Sequence, residues 1–347
     1  MTLDIVSYGR RGPSGTLRLG TEQVEQIKRT VSRTPEVMVK VSGGGRDSGA
    51  VDAHVRYIGR HGKLPLETDE GLTLQGKSVA KAIAEDWQLE LCRSQYRPKP
   101  AEGQKDTRAK LVHNIVLSMP AGTPPEKVLA AARLFARENF ALQYRYAMVL
   151  HTDQPHPHVH LVVKCEHEYQ PGKRLYVRKE TLRQWREQFA ELMREQGVAA
   201  NATPRQVRGQ VRKPYRDAIH HRLRAIRAVS QTSPHERSQR TIPATSTFMR
   251  AKLARLLGAL NEGPSVLQTG KDTMLSTRAQ VAANWRESAD RLRLQGHTEL
   301  ASQAARFVAA MAPVRTDAER MAARWRVQVR SPMQERIPPS GQGERSR

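Results

Sequence analysis

Four of the chain's twelve histidines fall within ten residues, in the run His151-Thr-Asp153-Gln-Pro-His156-Pro-His158-Val-His160. An even spread over 347 residues would place fewer than one there. His158 and His160 are two apart, so an extended strand projects both from one face and puts Val159 and Leu161 on the other. His151 precedes them by seven residues, beyond two X-Pro breaks, and a loop can fold it back onto the pair. Three neutral imidazoles converging on one point make a divalent-metal site with coordination positions left open, as a catalytic metal needs. A closed structural site would want four ligands, and the chain offers only two cysteines, Cys92 and Cys165. Asp153 can orient an imidazole through its second nitrogen or accept a proton from a nucleophile; the plainer role is a turn residue before Pro155. A non-catalytic metal-buffering tract is the bland counterpart of the whole run, and its position in mid-chain excludes a terminal tag.

Charge says what such a metal acts on. The formal net charge is +24, of which residues 201–347, with 27 Lys+Arg against 11 Asp+Glu, carry +16. That balance favours a polyanion, most simply nucleic acid held through its phosphates. A cation beside a phosphodiester polarises a non-bridging oxygen and neutralises charge in the transition state. Water as nucleophile gives a simple nuclease, and a side-chain hydroxyl gives a covalent intermediate. Tyr57, in Val55-Arg56-Tyr57-Ile58-Gly59-Arg60-His61-Gly62-Lys63, is the candidate hydroxyl, with Arg56, Arg60 and Lys63 supplying phosphate-binding charge. A phenol ordinarily ionises near pH 10, so deprotonation at pH 7 costs about 4 kcal/mol. Asp153 as base, or the metal and the nearby cations, must offset it. Tyr8, Tyr144 and Tyr146 are weaker candidates by position.

The elements that must place these groups follow from periodicity. A helix is expected at Thr21–Val31 and a strand over residues 36–42. The next helix starts at Ser48, which can cap it, with Val51, Val55 and Ile58 as its apolar stripe; Gly59 and Gly62 stop it. An amphipathic helix is read over Lys77–Arg93, and a basic, Pro-containing linker runs to about Ala109. Strands at 111–118, 144–151 and 158–165 and helices from Thr123 to Phe140 and Lys179 to Gln196 complete this part. The tight connection between the last two strands makes them antiparallel. The fold class is therefore α+β, a mostly antiparallel central sheet with flanking helices, in a domain of residues 1–205. A basic, mainly helical region of residues 206–330 follows, with stretches around Ser246–Leu260, Ser276–Leu294 and His297–Met311, and then a Pro/Ser/Arg-rich tail at 331–347. Few cysteines suggest a reducing compartment, and no run of apolar residues suits membrane insertion.

Together these motifs resemble those of tyrosine relaxases, the mobilisation endonucleases of conjugative plasmids and integrative elements. Tyr57-Ile-Gly-Arg-His-Gly-Lys-Leu is similar to their first motif, His113-Asn-Ile-Val-Leu-Ser118-Met-Pro to the second, and the histidine run followed by Leu-Val-Val to the third. Gly197-Val-x-Ala-x-Ala-Thr203-Pro-Arg-x-Val-Arg-Gly209 is similar to a segment of the branch that includes the T-DNA border endonucleases. The resemblance implies the two-histidine palm shared with Rep-type replication initiators, and attack by Tyr57 on one strand at an origin of transfer. The products would be a free 3′-OH and a 5′-phosphotyrosine. It implies Mg²⁺ or Mn²⁺ on His151, His158 and His160, support or deprotonation by Asp153, and a DNA contact from Ser118. It further implies accessory relaxosome proteins, a type IV coupling protein, and a bacterial cytoplasmic location with the DNA-linked form passing to a recipient cell. Lys164 stands where many relatives have asparagine, and His156 is an extra imidazole that could replace His151 as ligand. The competing functions are a rolling-circle initiator or transposase of the same fold, and a basic DNA-binding protein without catalysis.

Overall fold

Strict alternation along β6 (His158–Lys164) decides the architecture. Its odd-numbered residues Val159, Leu161 and Val163 point to one side and its histidines to the other, so the strand must lie between two different layers. In the computed structural model, which describes residues 18–92, 101, 106–210, 270–316, 319–320 and 323, it does. A six-stranded sheet runs in the order β1-β4-β6-β5-β2-β3, and every pairing is antiparallel. The other strands are β1 (Met38–Gly43), β2 (Leu66–Thr68), β3 (Thr73–Leu74), β4 (Val112–Ser118) and β5 (Tyr146–His151). The α+β class read from the sequence is the class observed.

One face is closed by α4 (Pro125–Phe140) and α5 (Lys179–Glu195). Val159, Leu161, Val163, Ile115, Leu117 and Val39 pack there against Phe135, Phe140, Trp185 and Phe189, all excluded from solvent or nearly so. The other face carries α2 (Ser48–Ile58) and α3 (Val79–Asp86). Val51, Val55 and Ile58 of α2 meet Val112, Ala147, Val149 and Val162 of the sheet. The predicted apolar stripe of α2 is thus the buried one.

Three local readings change. The cap of α2 is Asp47 rather than Ser48: Asp47 has extended backbone, and its carboxylate accepts from the Ala50 N–H at 2.8 Å. A carboxylate is as good a cap as a hydroxyl, and here it also meets the Arg108 guanidinium. The helix expected over Lys77–Arg93 stops at Asp86. Gln88 turns left-handed (φ 49°), and a 3₁₀ turn at Leu89–Leu91 follows, which lets Trp87 and Leu89 both reach the core. The short pair β2–β3 went unread because three and two residues hold no period.

The described residues fall into two compact units, Thr21–Thr203 and Met1–Gly20 with Pro204–Arg347. In the first, the segment after α5 is stitched to α1 (Thr21–Val31) and to Glu36, two residues before β1. Asn201 Nδ2 donates to Thr30 Oγ1, Thr203 Oγ1 and Glu36, and the Thr203 N–H donates to Glu36 Oε2 at 2.7 Å. The second unit holds α6 (Lys271–Leu294) and α7 (Thr298–Ala309). Trp285 stacks near Phe307 and donates from Nε1 to the Val207 carbonyl at 2.9 Å. The expected helix at Ser246–Leu260, much of the 93–105 linker, the tail and Tyr8 lie outside the described residues. No helix among the described residues is long and apolar enough to cross a membrane.

Candidate metal and nuclease site

Strand register brings the histidines together. His151, the last residue of β5, lies directly opposite His158 on β6, and Ser118 on β4 lies opposite His158 from the other side. Residues opposite each other in a ladder share a face, so Ser118, His158 and His151 form one row with His160 two residues further along. His151 therefore belongs to a strand end and needs no loop to fold it back. The three imidazoles offer ligand nitrogens that all lie within 4.8 Å of one another. Their ring centroids are 4.5 to 5.1 Å apart. His156 is exposed and outside this cluster; its carbonyl accepts from His158 Nδ1 at 2.9 Å.

Backbone carbonyls set the tautomers. A carbonyl only accepts, so His158 carries its hydrogen on Nδ1 and keeps the Nε2 lone pair. His151 Nε2 lies 2.6 Å from the Ile58 carbonyl at the end of α2, so its hydrogen is there and the Nδ1 lone pair is free for a cation. His160 Nδ1 is buried without a hydrogen-bond partner among the described residues. Burial, with the neighbouring His151 and His158 charges, pushes the His160 imidazole down to about 3, and burial also lowers His151. Two of the three imidazoles, His151 and His158, are oriented through their second nitrogens, an arrangement that fits a divalent cation.

Arg60 joins this cluster to Tyr57. Its Nη2 lies 3.2 Å from His151 Nδ1 and 2.5 Å from Asp153 Oδ2, and the guanidinium sits over the Tyr57 ring, 5.4 Å from the centroid. Burial works against the charge of Arg60, but the hydrogen bonds that it donates to Asp153 and Tyr57 outweigh burial and hold its pKa up. Burial would raise the Asp153 carboxyl, yet Arg60 overrides it and keeps Asp153 below the usual carboxylate range. Tyr57 is 54 % exposed at the last turn of α2. The backbone that follows is unusual. Arg60, His61 and Gly62 take φ of 50°, 57° and 86°, three left-handed residues in succession. A Cβ on Gly62 would come within 2.3 Å of the Gly76 backbone, so glycine is required there. Two non-glycine residues in this region store strain, and such strain collects at functional sites.

Of the remaining predicted contacts, Arg56 is exposed and paired with Asp52 at 2.5 Å, and Lys63 is exposed past the left-handed turn. Ser118 is buried, and its hydroxyl donates to the Met119 carbonyl at 3.4 Å. Lys164 is buried on the histidine face and paired with Glu168 at 2.7 Å. His54 escaped the sequence reading. It lies one helical turn before Tyr57, with its ring 6.4 Å from Tyr57 and 6.5 Å from His160, and burial lowers its pKa. Its i, i+3 spacing from Tyr57 was the available signal.

Residues 72–198 match the family model described as Relaxase: MobA/VirD2-like, nuclease domain. That span holds Ser118, Asp153 and the three histidines; Tyr57 and Arg60 precede it. The T-DNA border endonuclease VirD2 of Rhizobium radiobacter is 25 % identical over 224 residues, 58 % of this chain and 51 % of that protein. VirD2 of Agrobacterium fabrum is 25 % identical over 202 residues, 54 % of this chain and 44 % of its own. The chain spans about half the length of these curated relatives. Among solved structures, the conjugative relaxase TrwC in complex with mutant oriT DNA aligns with 62 % of this chain and 95 % of its own at 12 % identity. A chain from work on the molecular basis of vancomycin resistance transfer in Staphylococcus aureus covers 49 % and 98 %, also at 12 % identity. Their TM-scores, 0.31 and 0.30, are too low to carry an argument. The family match and the VirD2 relatives agree with the motifs: residues 72–198 are similar to a relaxase nuclease domain of the MobA/VirD2 type.

Proposed function

We propose that the chain is a DNA relaxase that nicks one strand at an origin of transfer through Tyr57 and so starts conjugative transfer. The observation that carries this reading is the Arg60 bridge, one guanidinium touching the Tyr57 ring, His151 and Asp153. It ties an exposed phenol to a three-histidine cluster on the same face of the sheet. The Tyr57 oxygen attacks the scissile phosphorus; the new Oη–P bond forms as the P–O3′ bond breaks. The phenol loses its proton and the departing 3′ oxygen gains one. One phosphodiester is exchanged for another, so the step is reversible and needs no nucleotide.

His151, His158 and His160 would hold a divalent cation, Mg²⁺ or Mn²⁺, which polarises a non-bridging phosphate oxygen and neutralises developing charge. The lone pair of His151 Nδ1 cannot serve Arg60 and a cation together; with a cation held there, Arg60 would keep an N–H for the phosphate while Asp153 anchors the guanidinium. Held low by that ion pair, Asp153 is better suited to anchoring Arg60 than to taking the phenol proton. Arg56 and Lys63 add phosphate-binding charge beside Tyr57, and Ser118 lines the same row as His158. The basic charge of residues 201–347 suits flanking DNA, accessory relaxosome proteins or a coupling protein of a type IV channel. The reading places the enzyme in the bacterial cytoplasm, with the DNA-linked form exported.

The test is cleavage of labelled single strands from the transfer region of the chain's own element, with Mg²⁺ or Mn²⁺, resolved on denaturing gels. A protein–DNA adduct is expected that chelator abolishes and that Tyr57→Phe cannot form while still binding the strand. An adduct persisting in Tyr57→Phe would move the nucleophile elsewhere.

A further inference from the structure

Tyr57 is an exposed ring on the last turn of a helix, and such a ring needs something to fix it. Arg60 covers it from one side. The other support is His54, whose imidazole lies at 30° to the phenol with centroids 6.4 Å apart. The same imidazole meets His160 edge-on at 6.5 Å and 68°. Rings of Tyr57, His54 and His160 thus form a continuous series from the phenol to the histidine cluster. His113, packed in the core, bonds one ring nitrogen, Nε2, to the Leu175 carbonyl at 3.1 Å, and its buried Nδ1 has no partner among the described residues. The Nε2 of His54 is buried and has no hydrogen-bond partner among the described residues. Such an atom points to a role only through its place, and this one belongs to the ring set between Tyr57 and His160.

We propose that His54 is a positioning residue: its ring is a plate that fixes the distance and tilt of the Tyr57 phenol against the three-histidine cluster, and its Nε2 takes a hydrogen bond when the DNA strand is in place. This rests on the reading of Tyr57 as nucleophile and of the cluster as the metal site. Contacts of this kind matter because misplacing a reacting atom by about 1 Å costs on the order of 100-fold in rate.

The experiment replaces Tyr57 by 3-fluorotyrosine and records its ¹⁹F spectrum in the wild type, His54→Ala and His54→Phe. Calorimetry measures Mn²⁺ binding to the same proteins, and single-turnover adduct formation gives the rate. His54→Ala is expected to sharpen the ¹⁹F line toward a freely moving ring and to slow adduct formation by about 100-fold, with Mn²⁺ affinity and melting temperature retained. His54→Phe is expected to restore the ¹⁹F signature and only part of the rate. An unchanged line and rate in His54→Ala would overturn the proposal, as would a rate loss matched by lost Mn²⁺ affinity. Full rate in His54→Phe would remove the role of Nε2, and an unrestored ¹⁹F line would remove the plate. The ¹⁹F line and Mn²⁺ binding need no nicking, so failure here is separable from failure of the relaxase reading.

Discussion

On β6 the residues Val159, Leu161 and Val163 lie under α4 and α5 without access to solvent, while His158 and His160 between them are only partly covered on the side of α2. The neighbouring strands repeat this division. β4 sends Ile115 and Leu117 to the closed face and Asn114 and Ser118 to the other; β5 sends Tyr146 and Met148 one way and His151 the other. The closed face supplies the cohesion that lets the opposite face hold polar groups at a fixed spacing. Even the histidines differ in kind. His113 points to the closed side and bonds to the Leu175 carbonyl, whereas His151, His158 and His160 keep nitrogens for each other's shared centre.

The largest expected effect breaks the open face alone. His160→Ala should reduce Mn²⁺ affinity and adduct formation by more than about 100-fold, since it removes a ligand where mere orienting partners already count for 10- to 100-fold. His113→Ala should leave Mn²⁺ binding unchanged. Calorimetric titration of both variants decides it; equal losses would mean that the division between the faces is not functional.

The converse change is Phe135→Ala. Phe135 is fully buried, edge-on to Phe140, Trp185 and Phe189 at 5.8 to 6.2 Å. Its truncation should cost about 3–5 kcal/mol in denaturant unfolding. The protein that remains folded should bind Mn²⁺ as before, because the cavity opens on the far side of the sheet.

How much of this was legible depends on how local the cause is. Alternation in β6 announced its two faces and the histidine pair, because a period of two is written in adjacent residues. The Val51–Val55–Ile58 stripe announced α2 for the same reason. What failed to show was set at a distance. The Asp47 cap competes with Ser48 through Arg108, which is 61 residues away. Arg60 reads as one cation among several, and only the left-handed turn at residues 60–62 brings it to Asp153, 93 residues on. His54 looked like an ordinary helix residue until the sheet set His160 beside it.

Acid should separate the faces more gently. His54, His113, His151 and His160 all have folded-state pKa values lowered chiefly by burial, with His160 at about 3. The unfolded chain binds protons at these imidazoles near pH 6.5 and the folded chain does not. Stability of the metal-free protein should therefore be complete above about pH 6.5 and fall as pH drops toward 3, at up to about 1.4 kcal/mol per pH unit for each such histidine. His160→Asn should flatten that slope in urea melts run from pH 7 to pH 4. A slope that the substitution leaves unchanged would place the proton uptake on the other buried imidazoles, His54, His113 or His151.

The smallest effect is expected at Asp153, and it tests which group Tyr57 relies on. If Asp153 were the base, Asp153→Asn would cost about 10²–10⁴-fold, the usual worth of a general base. The structure instead has Arg60 holding the carboxyl below its ordinary range, which suits an anchor. An asparagine oxygen can still accept from the Arg60 guanidinium, without the charge. Asp153→Asn should therefore slow adduct formation by about tenfold or less, as expected for an ion pair half open to solvent. Arg60→Gln should slow it more, because that change removes the group reaching both His151 and the Tyr57 ring. The ordering of the two variants is the informative quantity: Asp153→Asn falling below Arg60→Gln would return the proton-accepting role to the carboxylate and leave Arg60 as its escort.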